Sequence, residues 1–365
     1  MRSKKRFYFI LGTRPEVIKL SSLINKLKSE KESVIVVNTG QQQELTTEFL
    51  KDFKIEANVT YNLSDKRSLN LDLSQILSNL FATLKDENPK NTFIFVQGDT
   101  TTTLAGALTG FNLSIPVFHI EAGLRTGNTT APFPEEMYRV LTSQLSTHHF
   151  APTQKAVENL VLSGVDEKNI TMCGNTGIDV LVERLKFEKK EVNRLQRRIL
   201  VTLHRRENFG ENIFNLTQAL DELSQELTNT QIEFICHSNP KVLESYHPKF
   251  VSNSNIIKSP PKSYVELIEI LRHSDILITD SGGLQEESAF LGIPLIVARE
   301  VTERQEVLGA NCALCSTDPI KIRETTVRLL CNDAELKKFT NSTKIFGEGK
   351  STEIIIDKLK SMEIL

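Results

Sequence analysis

The sequence predicts an α/β protein of two doubly wound domains with a cleft between them, and three observations carry that prediction. At 365 residues the chain exceeds one ordinary domain, since domains usually run about 100–200 residues. Short apolar runs ending in polar or glycine-rich turns alternate with stretches of helical period, the pattern of a parallel sheet covered by helices. A strongly charged stretch at residues 183–198, ERLKFEKKEVNRLQRR, divides these runs into two sets and reads as a solvated helix and connector.

The first set comprises residues 7–11, 34–38, 92–96, 115–119, 149–151 and 170–173. The opening run follows a basic MRSKKR and stops at Gly12, too short for a signal core or a membrane span, so it reads as a buried first strand. The second set comprises residues 198–202, 231–236, 255–258, 275–279 and 294–298. No internal repeat, low-complexity segment or heptad run interrupts either set, and the carboxyl ends of both sheets are expected to face the cleft.

A net charge of -2 supplies no bulk field for nucleic acid or acidic lipid, so neither is an expected partner and an anionic ligand must be met locally. Five cysteines and no mark of secretion read as free thiols in the cytoplasm. Cys312 and Cys315 have CxxC spacing but no second ligand pair, and read as core residues on a strand. His148 and His149, adjacent on a strand, point to opposite faces and share no metal.

The first strand runs into Gly12-Thr13-Arg14-Pro15-Glu16 and then a helix, where a doubly wound fold presents a ligand-facing loop. No GxGxxG is present, so a nicotinamide dinucleotide is not indicated, whereas Arg14 beside a helix N-terminus suits a phosphate. In the second half the strand ILIT leads into Asp280-Ser281-Gly282-Gly283 and a helix. The run from Thr279 to Gly283 reads as a diphosphate grip: glycines admit close approach, Ser281 offers a hydroxyl, and the helix offers its first N–H groups. Glu287, one turn inside, is in reach of a ribose diol. His204, with Arg205 or Arg206, follows the first strand of this half and would supply charge or a proton beside a leaving phosphate.

Three carboxylates, Asp99, Glu121 and Glu135, fall at strand ends or loops of the first half. Singly, each reads equally as a helix cap or as a partner for Arg125 or Arg139; together, facing an anion, they favour acid/base work.

The set GTRPEVIKL, QGDTTTT, HIEAGLRT, PEE followed by an arginine, HFAPT, GNTGID, HRREN, TDSGGLQEES and TERQE resembles the non-hydrolysing UDP-N-acetylglucosamine 2-epimerases through almost the whole chain. The resemblance implies a glycosyltransferase B-type architecture: a Rossmann-like domain over residues 1–175, a UDP-binding one over 176–350, and a helix in 351–365 packing back on the first. It implies a cytoplasmic homodimer acting on a UDP-sugar without redox cofactor or metal, interconverting UDP-N-acetylglucosamine and UDP-N-acetylmannosamine for surface polysaccharide.

By the same resemblance Arg14, His204, Ser281, Gly282, Gly283 and Arg304 would hold the diphosphate, and Glu287 the ribose. Lys19 would support the site, Arg139 would join the substrate-binding set, and Asp99, Glu121 and Glu135 would handle protons, with His204 counted as catalytic. Gln41-Gln42-Gln43 departs from the family's Gln-His-Arg, which puts a regulatory UDP-sugar site in doubt; Gln305 replaces a proline, and residues 309–315 are atypical. A hydrolysing relative, a 2-epimerase of a modified sugar, a glycosyltransferase and an inactive UDP-sugar sensor are the alternatives.

Overall fold

The computed structural model describes residues 4–64, 68–185, 196–205, 208–309 and 311–365. Most of the charged connector, as well as Arg206, lies outside the described residues. The chain forms two compact units, Met1–Glu183 with Ile345–Leu365, and Arg184–Lys344.

The first unit is a seven-stranded sheet of order β3-β2-β1-β4-β5-β6-β7, and every pairing is parallel. Its strands are β1 (Arg6–Leu11), β2 (Ser33–Asn38), β3 (Val59–Thr60), β4 (Thr92–Gln97), β5 (Val117–Ile120), β6 (His148–Ala151) and β7 (Ile170–Met172). Helices cover both faces, so the central strands are apolar at successive positions rather than alternating. On one face a ladder of rings crosses the sheet: Phe9 stacks on Phe95 at 4.8 Å and Phe95 on Phe118 at 5.0 Å. The other face buries Tyr8, Ile10, Ile94, Val96 and Val117.

The second unit is a six-stranded parallel sheet of order β10-β9-β8-β11-β12-β13. Its strands are β8 (Arg197–Thr202), β9 (Thr230–Ile235), β10 (Ile256–Ser259), β11 (Ile276–Thr279), β12 (Leu295–Val297) and β13 (Cys312–Leu314). Ile199, Val201, Phe234, Ile276 and Ile278 form the heart of its core. Cys312 lies on β13 and Cys315 just beyond it; both are buried free thiols, and burial pushes that of Cys312 up to about 12.

Strand order reverses between β1 and β4 in one unit and between β8 and β11 in the other. Doubly wound sheets bind ligands outside the carboxyl ends of their strands at this switch point. The motifs sit there: Arg14 follows β1, Asp99 follows β4, His204 follows β8 and Ser281 follows β11.

The last helix, Ser351–Ser361, belongs to the first unit. The Asp179 carboxylate accepts the N–H groups of Ser351 at 3.0 Å and Thr352 at 2.6 Å, capping donors that a helix start otherwise leaves open. Among the described residues no helix is long and apolar enough to cross a membrane.

Candidate active site

In the first unit the polar residues are delivered by strand ends. After β4, Gly98 turns with φ +75°, and Thr100 caps the next helix by accepting the Thr103 N–H at 3.1 Å, which fixes Asp99 between them. The buried His119 ring holds the Gly98 carbonyl at 2.8 Å through Nε2. Burial lowers the His119 pKa to about 3, so the ring stays neutral and Nε2 carries the donated hydrogen.

Glu121 follows β5 in a left-handed conformation, φ +62°, which costs a non-glycine residue about 1–3 kcal/mol and persists where surrounding contacts enforce it. Those contacts converge on its Oε2, which pairs with Lys19 and accepts Gln97 Nε2 at 3.0 Å and Asn175 Nδ2 at 3.2 Å. Asp99 is gripped on Oδ2 by the Nε of Arg139 at 3.1 Å and by its Nη2. Nη1 of the same buried arginine donates to Glu136 at 3.0 Å. Glu135 opens the helix Glu135–Leu145, where the helix dipole favours an acid, and at i, i+4 it shares a face with Arg139. Arg14 is the first residue of the helix Arg14–Ser29, its guanidinium 5.4 Å from the Phe49 ring centre.

In the second unit Asp280 is fully buried and turned inward. Its carboxylate accepts the backbone N–H groups of His204 at 2.9 Å and Arg205 at 2.8 Å, and Asn208 Nδ2 at 2.7 Å. His204 Nδ1 lies 3.2 Å from Asp280 Oδ1 while the ring itself is exposed. Asp280 therefore stakes the β8 loop to the β11 loop and orients His204.

Ser281 sits at the N-cap of the helix Gly282–Leu291 without capping it through its side chain. A Cβ on Gly282 would lie 2.8 Å from Arg304 Nη1, whereas one on Gly283 would enter open space. Arg304 packs beneath the turn, Nε on Glu286 at 2.8 Å and Nη1 on Glu303. Glu303 in turn holds the buried Arg299 at 3.0 Å. Glu287 accepts the Tyr264 hydroxyl at 2.7 Å, and burial, with Glu287 alongside, pushes that hydroxyl's pKa well above its ordinary value.

The model of the family described as UDP-N-acetylglucosamine 2-epimerase matches residues 25–360. The chain belongs to this family. A UDP-N-acetylglucosamine 2-epimerase of Salmonella borreze is 38% identical over 372 residues, covering 97% of this chain and 98% of that protein. The crystal structure of UDP-GlcNAc 2-epimerase from Neisseria meningitidis bound to UDP-GlcNAc superposes with a TM-score of 0.92 at 33% identity, covering 98% of this chain and all of that one. The co-structure of S. aureus MnaA with UDP gives 0.92 at 31%, covering 99% and 98%.

Within this family member, the motif residues proved easier to find than the residues that orient them. Gln97, Asn175, Glu136, Tyr264, Glu286 and Glu303 each hold an expected site residue through a contact described above, and sequence reasoning assigned none of them. Gln97, Glu136, Asn175, Glu286 and Glu303 stand inside quoted motifs and were open to notice; Tyr264 stands in none and reaches Glu287 from 23 residues away, which no local pattern signals.

Proposed function

We propose that this protein inverts C2 of UDP-N-acetylglucosamine to give UDP-N-acetylmannosamine, reversibly and without releasing free sugar. The observation that supports it most is that each unit gathers its motif residues at its own strand-order reversal, with ion-paired carboxylates in the first.

The C2–H has no adjacent carbonyl and is a very weak acid, so a carboxylate removes it only as UDP departs from C1. In the elimination the C2–H and C1–O bonds break, C1=C2 forms, and the C2 proton passes to a carboxylate. Re-addition reverses these steps with a proton delivered to the opposite face. Arg14, His204, Ser281 and the N–H groups at Gly282 and Gly283 stabilise the departing diphosphate, a charge that grows as the bond breaks. Glu287, set by Tyr264, takes the ribose, and Arg304 supports the glycine turn from below.

Inversion needs acid/base groups on two faces, and Asp99, Glu121 and Glu135 provide them, with Lys19 and Arg139 holding the first two carboxylates of that set. The substrate is a UDP-sugar, and the protein acts in the cytoplasm as a homodimer that supplies surface polysaccharide synthesis.

In deuterium oxide the purified protein should place deuterium at C2 of both UDP-sugars while UDP stays attached. Free N-acetylmannosamine accumulating in step with UDP would transfer the reading to hydrolysis, and no exchange with any UDP-sugar would sink the enzyme reading.

A further inference from the structure

Glu16 closes the Gly12 to Glu16 motif, is fully buried, and has no part in the mechanism above. Its Oε2 accepts the backbone N–H groups of Gly12 and Thr13, each at 2.7 Å, and the Thr13 hydroxyl at 2.9 Å. Its Oε1 accepts the Thr100 hydroxyl at 2.5 Å and lies 3.2 Å from that of Thr103. The Thr100 oxygen also accepts the Thr103 N–H at 3.1 Å, so this hydroxyl links the start of the helix after β4 to Glu16. The Thr103 hydroxyl also donates to the Gln97 carbonyl at 2.6 Å, tying the end of β4 into the same cluster.

One carboxylate therefore bolts the loop after β1, which carries Arg14, to the loop after β4, which carries Asp99, across the switch point of the sheet. We propose that Glu16 is a positioning residue for the epimerisation, fixing Arg14, expected on the diphosphate, relative to Asp99, expected on the proton path. The inference rests on the reading of the previous subsection and deepens it.

A merely structural strut and a positioning residue differ in a measurable way. Burial raises the Glu16 pKa, against the pull of the hydrogen bonds from Thr100, Gly12 and Thr13. A carboxyl raised in the fold weakens the fold as pH climbs from the ordinary carboxylate range through the raised value, and the cost is fully present above it. A glutamine there keeps an acceptor for the two backbone N–H groups and carries no charge.

The test uses Glu16→Gln, Thr100→Val and Thr100→Ser in the full chain, with kcat, KM and thermal melting measured at pH 7.5. Glu16→Gln should melt at or above the wild type while kcat falls by about tenfold or more, the size of loss expected from a sub-ångström misplacement. Thr100→Val should lose rate and Thr100→Ser, which keeps the hydroxyl, should restore it. Wild-type turnover together with undiminished kcat in Glu16→Gln would overturn the positioning role and leave the epimerase reading standing. If Glu16→Gln does not fold, equal rates for Thr100→Val and Thr100→Ser would overturn it as well. A wild type that turns over no UDP-sugar would overturn both readings.

Discussion

At the scale of single residues the site is a set of charges that cannot be removed one at a time. Lys19 is buried and ion-paired with Glu121, whose side chain is itself largely covered and also takes two amide donors. Deleting one partner strands the other in a poorly solvated place, which typically costs about 3–5 kcal/mol, while replacing both with neutral groups costs far less. Lys19→Met alone should accordingly destabilise the protein on that order in urea unfolding, and Glu121→Gln in the Lys19→Met background should recover much of it. Activity should not return, because the carboxylate is gone. Additive losses in the double variant would show that the pair does not act as a unit. The same reasoning explains Asp280: with three donors on its oxygens it is a neighbour's anchor, and its charge makes the exposed His204 ring point one way.

At the scale of elements, the N-terminus of Gly282–Leu291 separates two glycines that look alike in sequence. A methyl on Gly282 meets a guanidinium pinned by Glu286 and Glu303, which cannot swing aside cheaply; Gly282→Ala should cost about 1–3 kcal/mol of stability. A methyl on Gly283 meets nothing, and alanine is the better helix former by about 0.5–1 kcal/mol. Gly283→Ala should therefore melt slightly higher than the wild type yet bind UDP more weakly in calorimetry, since the methyl fills the space a diphosphate would approach. Unchanged UDP affinity would remove Gly283 from the binding set. The strands that deliver these motifs were legible because both faces of each are buried, giving unbroken apolar runs such as residues 7–11 and 276–278. Where a run misled, local chemistry explains it: β5 begins at Val117 instead of residue 115 because Pro116 has no N–H for the ladder, and β3 is two residues long and leaves no pattern.

At the scale of the whole molecule, the two units repeat one arrangement, with a polar loop on each side of a strand-order reversal, and this repetition was readable because the motifs follow strands. The partners that aim the motif residues were not, since Lys19 and Glu121 stand 102 residues apart and meet only in the folded sheet. The units differ in their buried histidines. The first holds His119, His148 and His149 on β5 and β6, and burial lowers His119 to about 3, His148 to about 4, and His149 as well. In the unfolded chain these rings take up a proton near pH 6.5, so the stability gained by keeping them neutral is complete above that value and is lost as pH falls toward the lowered ones. Glu16, with its raised pKa, runs in the opposite direction but as a single group. For His119 alone the loss is on the order of 2 kcal/mol by pH 5. Hydrogen exchange at pH 7 and pH 5, corrected for intrinsic rates, should show protection falling more in β5 and β6 than in β8 and β11. His119→Gln places an amide donor where Nε2 now meets the Gly98 carbonyl and has no proton to gain, so its unfolding free energy should depend less on pH over that interval. An equal slope in the variant and the wild type would mean that another group governs acid unfolding.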